Sequence, residues 1–151
     1  FEPEQYFDRM DIGQGDIVSV HYEACENLHE VIDNIRQRGA SPFIAISPDT
    51  KPEVLNDYLT EVDGVVVMTV YPGFAGAPLV DGSFEKLSAV RKLLDSVDPA
   101  LILEVDGHVS WDLCARMRAC GADIFVAGSS SIYGKGLELE ESVPKMTAMI
   151  Q

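Results

Sequence analysis

Three clusters of glycine, hydroxyl and charged residues each follow a short apolar run, which is where α/β enzymes place the groups that handle a ligand. They are Met68-Thr69-Val70-Tyr71-Pro72-Gly73-Phe74-Ala75-Gly76, Asp106-Gly107-His108-Val109-Ser110 and Gly128-Ser129-Ser130. Gly73 and Gly76 let the backbone turn its amides inward, and Gly128 with Ser129 starts a turn whose N–H groups can face an anion. The expected chemistry is therefore recognition of a phosphate by backbone donors. Lys and Arg total only 11, lie scattered on segments with helical spacing, and leave a formal net charge of −14. With so few cations at hand, amides and helix N-termini have to do the work of charge neutralisation.

Short β-branched runs alternate with longer segments of helical periodicity, the order of repeated βα units around a parallel sheet. Five strands are predicted, at Ile17–Val20, Phe43–Ile46, Val65–Met68, Leu101–Val105 and Ile124–Ala127. Runs this apolar predict a sheet buried on both faces. Leu28, Val31, Ile32 and Ile35 recur at three and four and predict a helix closed by Gly39 at C′. Thr50 and Ser110 read as N-caps, and a final helix over about Glu140–Ile150 is expected to bury Val143, Met146 and Ile150. The chain opens at Phe1 without a methionine, and its first dozen residues suggest a helix around Gln5–Met10 with no strand before it. The expectation is a chain that starts inside a βα unit.

At 151 residues with 46% hydrophobic content, a single domain over 1–151 is predicted. The acidic balance argues against nucleic acid as a partner, because affinity for a polyphosphate rests on Lys and Arg. No apolar run reaches the roughly 18 residues of a membrane span and no basic-then-apolar leader is present, so no membrane association is expected. Cys25, Cys114 and Cys120 have neither the number nor the spacing of a disulfide framework or a zinc ribbon, which suits a reducing cytoplasm.

The motif M-T-V-x-P-G-F-x-G, followed in order by Glu104-Val105-Asp106-Gly107 and Gly121-Ala122-Asp123-Ile124-Phe125-Val126-Ala127-Gly128-Ser129, resembles the ribulose-phosphate 3-epimerase family, including its relative that epimerises allulose 6-phosphate. Ser19-Val20-His21-Tyr22-Glu23-Ala24 and Leu28-His29 extend the likeness upstream, so it covers the whole chain from just after the family's third strand. The resemblance implies an α/β fold of the (β/α)8 TIM-barrel type, here an incomplete barrel of about five parallel strands with helices outside. A full barrel typically needs about 250 residues, so the chain is about three strands short. Open strand edges then predict a homo-oligomer or a barrel completed by a partner.

The activity implied is metal-assisted proton transfer at the carbon beside a sugar ketone, converting D-ribulose 5-phosphate to D-xylulose 5-phosphate. By resemblance, Asp106 is both acid/base and ligand to a zinc, iron or manganese ion. The other implied ligands, two histidines and an aspartate, belong to strands absent from this sequence, as does the opposing aspartate. Also by resemblance, Gly73, Phe74, Ala75, Gly76, Gly107, His108, Gly128 and Ser129 contact the sugar phosphate, with Met68 over the reacting carbons. None of the three histidines replaces the missing ligands: His21 reads as a hydrogen-bonded barrel residue and His29 as a surface residue. His108 stands where the family has glycine, Ala77 where glutamine is frequent, and Tyr71 where a small polar or acidic residue is common. Two other readings stay open: an allulose-6-phosphate 3-epimerase, and a catalytically silent remnant that keeps only the phosphate surface.

Overall fold

The computed structural model describes residues 2–71, 73 and 76–151. Five strands, β1 (Ile17–His21), β2 (Ser41–Ile46), β3 (Gly64–Met68), β4 (Ile102–Asp106) and β5 (Ile124–Val126), form one parallel sheet in the order β1-β2-β3-β4-β5. Sequential order with every neighbour parallel is the progression of a (β/α)8 barrel wall, and the fold is an incomplete α/β barrel of that type. The helices α1 (Leu28–Gln37), α2 (Ser83–Val97), α3 (Cys114–Ala119) and α4 (Leu139–Ile150) connect or flank the strands. A 3-10 helix over Pro3–Arg9 stands where a helix around Gln5–Met10 was expected.

Period-two alternation divides the sheet into unequal faces. Val20, Ile44, Ile46, Val65, Val67, Leu103 and Val105 point towards the helices, where they pack with Ile32, Ile35, Leu87, Val90, Leu94 and Met117 in the main core. Each such side chain contributes roughly 1.5–3 kcal/mol on burial. The opposite face holds a small cluster of Phe43, Ala45, Val66 and Met68, bordered by Ile102 and Ile124. At its margins Ile17 is 48% and Val126 41% exposed. Burial on both faces, expected from the apolar runs, holds for β2 and β3 but not for β1, β4 or β5. Apolar content alone does not say whether a second layer covers a strand.

The end of α1 confirms the glycine stop. Gly39 has φ +87 and donates to Arg36 O (2.9 Å), while Ala40 donates to Ile35 O (3.3 Å), the paired bonds of a Schellman motif. Two expected caps are corrected. Thr50 precedes a 3-10 helix, Pro52–Asp57, whose N-cap is Lys51, and the Thr50 hydroxyl donates to Glu23 instead. Ser110 Oγ donates to Asp112 (2.7 Å), and α3 starts at Cys114 behind Leu113. In α4, Met146 is buried and Ile150 packs on the core as expected, but Val143 is exposed and Ser142 takes the inward position, donating to Ile132 O at 3.0 Å. Cys25, Cys114 and Cys120 are free thiols, and no helix among the described residues is long and apolar enough to cross a membrane.

Candidate functional site

Parallel strands all end at the same edge of the sheet, so the three clusters seen in the sequence meet there. A cavity of about 450 Å³ opens beyond β3, β4 and β5 and brings together Met68, Gly73, Gly76, Asp106, Gly107, His108, Gly128 and Ser129. Val70, Tyr71, Val109, Val126 and Ser130 complete the lining. Phe74 and Ala75, expected as ligand contacts, lie outside the described residues. No lysine or arginine lines the cavity among the described residues, so any anion there has to be met by amides, hydroxyls or His108.

Asp106 is the last residue of β4, in register with Met68 on one side and Val126 on the other. Burial pushes its carboxyl above the usual aspartate range, against the opposing effects of a hydrogen bond from the Gly107 amide and the charge of His21. Glu104, two residues back on the same face, is likewise raised by burial and by the Asp106 charge. A carboxylate whose value is raised is, while ionised, a stronger base than a solvated one.

The turn after Asp106 is stitched to the end of β3. The Thr69 amide donates to Asp106 O (2.8 Å), and the fully buried Thr69 hydroxyl donates to Gly107 O. Gly107 sits at φ +110, tight against Val70. His108 follows at φ +45, a left-handed conformation rare for a residue with a side chain. Its Nδ1 lies 2.9 Å from Ala77 O. A carbonyl only accepts, so Nδ1 carries the hydrogen and Nε2 is the ring nitrogen left for another partner. His108 therefore both lines the cavity and fastens the far end of the glycine segment that follows β3. Gly73 and Gly76, at φ +90 and +78, give that segment its turns. After β5, the carbonyl of Gly128 accepts the amides of Ser131 (3.0 Å) and Tyr133 (3.1 Å), curling the chain around Gly128 and Ser129.

The other two histidines lie apart from any ligand set. His21 Nδ1 is 3.2 Å from Glu23, and His29, on the exposed side of α1, is 2.8 Å from Glu61 and stacks on Tyr58. Among the described residues no three His, Cys, Asp or Glu side chains converge as a metal-ion group. A divalent zinc, iron or manganese site takes four or more ligands, at least three of them from protein. The donors among the described residues do not fit one.

The cavity gathers the glycines and Asp106 singled out in the sequence, whereas Glu23 and Lys86, which hold the neighbouring loop that carries Asp49, were not singled out. Glu23 accepts the Ser47 amide (2.9 Å) and the Thr50 hydroxyl, and Lys86 Nζ donates to the carbonyls of Ser47 (2.5 Å), Pro48 (3.2 Å) and Thr50 (2.6 Å). These residues are distant in sequence and ordinary in type. Only the folded chain reveals their convergence.

A sequence profile described as the ribulose-phosphate 3 epimerase family matches residues 1–133. The ribulose-phosphate 3-epimerase of Bacillus subtilis (strain 168) is 33% identical over 135 residues, covering 89% of this chain and 62% of that protein. That of Chlamydia muridarum is 31% identical over 145 residues (95% and 64%), and that of Serratia marcescens 38% over 118 residues (78% and 56%). The chain thus spans about three fifths of the length of the curated relatives it matches.

Proposed function

The chain belongs to the ribulose-phosphate 3-epimerase family, and from that premise we propose that it supplies the Asp106 face and the phosphate cradle of a ketose-phosphate 3-epimerase site. The observation that carries the proposal is the meeting, in one cavity, of a half-buried carboxylate at the end of β4 with glycine turns after β3 and β5. D-ribulose 5-phosphate is the substrate that the relatives' names support. Its phosphate lies against the backbone of Gly73, Gly76, Gly128 and Ser129, and Phe74 and Ala75 belong to the same cradle by sequence. Gly107 and His108 flank the sugar, and Met68 covers its reacting carbons.

Asp106 is the acid/base. Its carboxylate takes the proton from C3, the C–H electron pair moves into the C2–C3 bond, and the carbonyl π pair moves onto O2 to give an enediolate. The proton then returns to C3, and inversion requires its delivery from the opposite face. Among the described residues that line the cavity Asp106 is the one carboxylate, so it accounts for one proton transfer and not for the full inversion. The donors among the described residues do not fit the divalent metal that the family resemblance implies. The half-open sheet face and the edge strands β1 and β5 support completion of the barrel by further strands, whether of the same protein, a second copy or another partner.

Titration calorimetry with D-ribulose 5-phosphate tests the cradle. A Cβ added at Gly128 meets nothing within 4 Å, so Gly128→Ala leaves the fold intact while placing a methyl group where the phosphate approaches. We expect saturable binding to the natural chain and affinity at least about tenfold weaker, roughly 1.4 kcal/mol, in the variant. Equal affinity would remove Gly128 from the phosphate site.

A further inference from the structure

The loop that follows β2, Ser47 to Thr50, is gripped from two sides by opposite charges. The Glu23 carboxylate takes one amide and one hydroxyl of this loop, and the Lys86 ammonium has acceptors for all three of its hydrogens in the loop's carbonyls. Charge-assisted bonds are about twice as strong as neutral ones, and both anchors come from separate elements, the turn after β1 and helix α2. The loop is therefore a fixed platform.

On that platform Asp49 presents its carboxylate to Tyr71, whose hydroxyl donates to Oδ1 at 3.0 Å. Tyr71 lines the cavity and is the last described residue before the glycine segment. At the other end of that segment His108 holds Ala77 O. Gly73 and Gly76 lie between the two fastenings, and glycine is the residue whose backbone loses most freedom on ordering. An exposed tyrosine–carboxylate bond contributes little by itself, because both partners pay side-chain entropy to meet. Here one partner is already held, so forming the bond chiefly restricts the segment that follows Tyr71.

We propose that Asp49 is a positioning residue: acting through Tyr71, it fixes the entry of the Tyr71–Ala77 segment so that the Gly73 and Gly76 backbone is set for an anion before the ligand arrives. The proposal rests on the reading of this cavity as a ketose-phosphate site. It explains what the large tyrosine does at a position where a small side chain could not span to the β2 loop.

The test is a double-mutant cycle read by calorimetry with two ligands, inorganic phosphate and D-ribulose 5-phosphate. Asp49→Ala and Tyr71→Phe should each weaken both ligands by the same factor, about two- to fivefold for one lost hydrogen bond. The double variant should be no weaker than either single one, and Asp49→Asn, which still offers an acceptor, should restore most of the affinity. Additive losses, a loss confined to the sugar phosphate, or no loss would each overturn the positioning role. Amide hydrogen exchange gives a readout that needs no ligand. Both single variants should speed exchange over residues 71–80 and leave β4 unchanged, and unaltered exchange over 71–80 would refute the fastening. If the natural chain binds neither ligand the proposed function fails, and the exchange result still decides whether Asp49 orders the segment.

Discussion

Gly107→Ala puts the geometry at the end of β4 under the most direct strain. Gly107 has φ +110, where a residue with a Cβ is disfavoured, and the added Cβ would lie 2.6 Å from Val70 Cγ2, 2.8 Å from Val70 N and 3.0 Å from Thr69 Oγ1. A shift of Val70 Cγ2 relieves the first contact. The second is with backbone, and that backbone is held by the Thr69 amide on Asp106 O (2.8 Å) and the Thr69 hydroxyl on Gly107 O. The turn therefore has no direction in which to relax without breaking the bonds that join the ends of β3 and β4. Backbone strain of this kind costs about 1–3 kcal/mol and overpacking another 1–3 kcal/mol, so a loss of about 2–6 kcal/mol is expected. For a chain of this size each kcal/mol lowers the thermal midpoint by about 2–4 °C, giving a fall of roughly 4–24 °C by calorimetry or circular dichroism. A midpoint within about 1 °C of the natural chain would refute the packing described around Gly107, and with it the placement of the Asp106 turn.

Two further outcomes concern charge. Burial raises the Glu23 carboxyl, but hydrogen bonds from Thr50, Ser47, its own amide and His21 outweigh that effect and set it below the ordinary glutamate value. A depressed acid contributes stability above its unfolded-state value and loses it as pH falls through the folded-state value. Glu23→Gln should therefore cost about 1 kcal/mol at pH 7, allowing for solvent screening, and the difference in urea midpoint should shrink in acid; a constant difference would contradict the charged contacts. Asp106 is the reverse case. Its raised value means that folding favours the protonated form, a contribution present below the unfolded-state value and lost as pH rises through the folded-state value. Asp106→Asn should accordingly be more stable than the natural chain at neutral pH and lose that advantage in acid, and lower stability at pH 7 would show that the carboxylate is better accommodated than its burial indicates.

Much of the architecture is written in local pattern. β-branched runs marked all five strands, and Gly39 stood where α1 needed a left-handed residue. The three clusters converged because parallel strands end on one edge, which makes sequence order a guide to spatial position. Pattern failed where the answer depended on a distant partner. Thr50 and Ser110 have the right type for N-caps, yet the Thr50 hydroxyl goes to Glu23 and the Ser110 hydroxyl to Asp112. Val143 fits a helical stripe, but the surface that α4 packs on is Ser142's side, where Ile132 O accepts its hydroxyl. His108 was expected as a ligand contact at a position where the family has glycine. It is a lining residue and a turn residue at once, because its left-handed backbone directs Nδ1 to Ala77 O.

The proposal that stands or falls first is a single proton transfer, in which Asp106 takes the proton from C3 of a bound ketose phosphate. Incubating the chain with D-ribulose 5-phosphate in deuterated water and following the C3 position by nuclear magnetic resonance measures that single proton transfer, since one base is enough for exchange. We expect deuterium to enter C3 with retained configuration in the natural chain and not in Asp106→Asn. Exchange that persists in Asp106→Asn, or its absence from the natural chain when the sugar phosphate is shown to be bound, would contradict the assignment of Asp106.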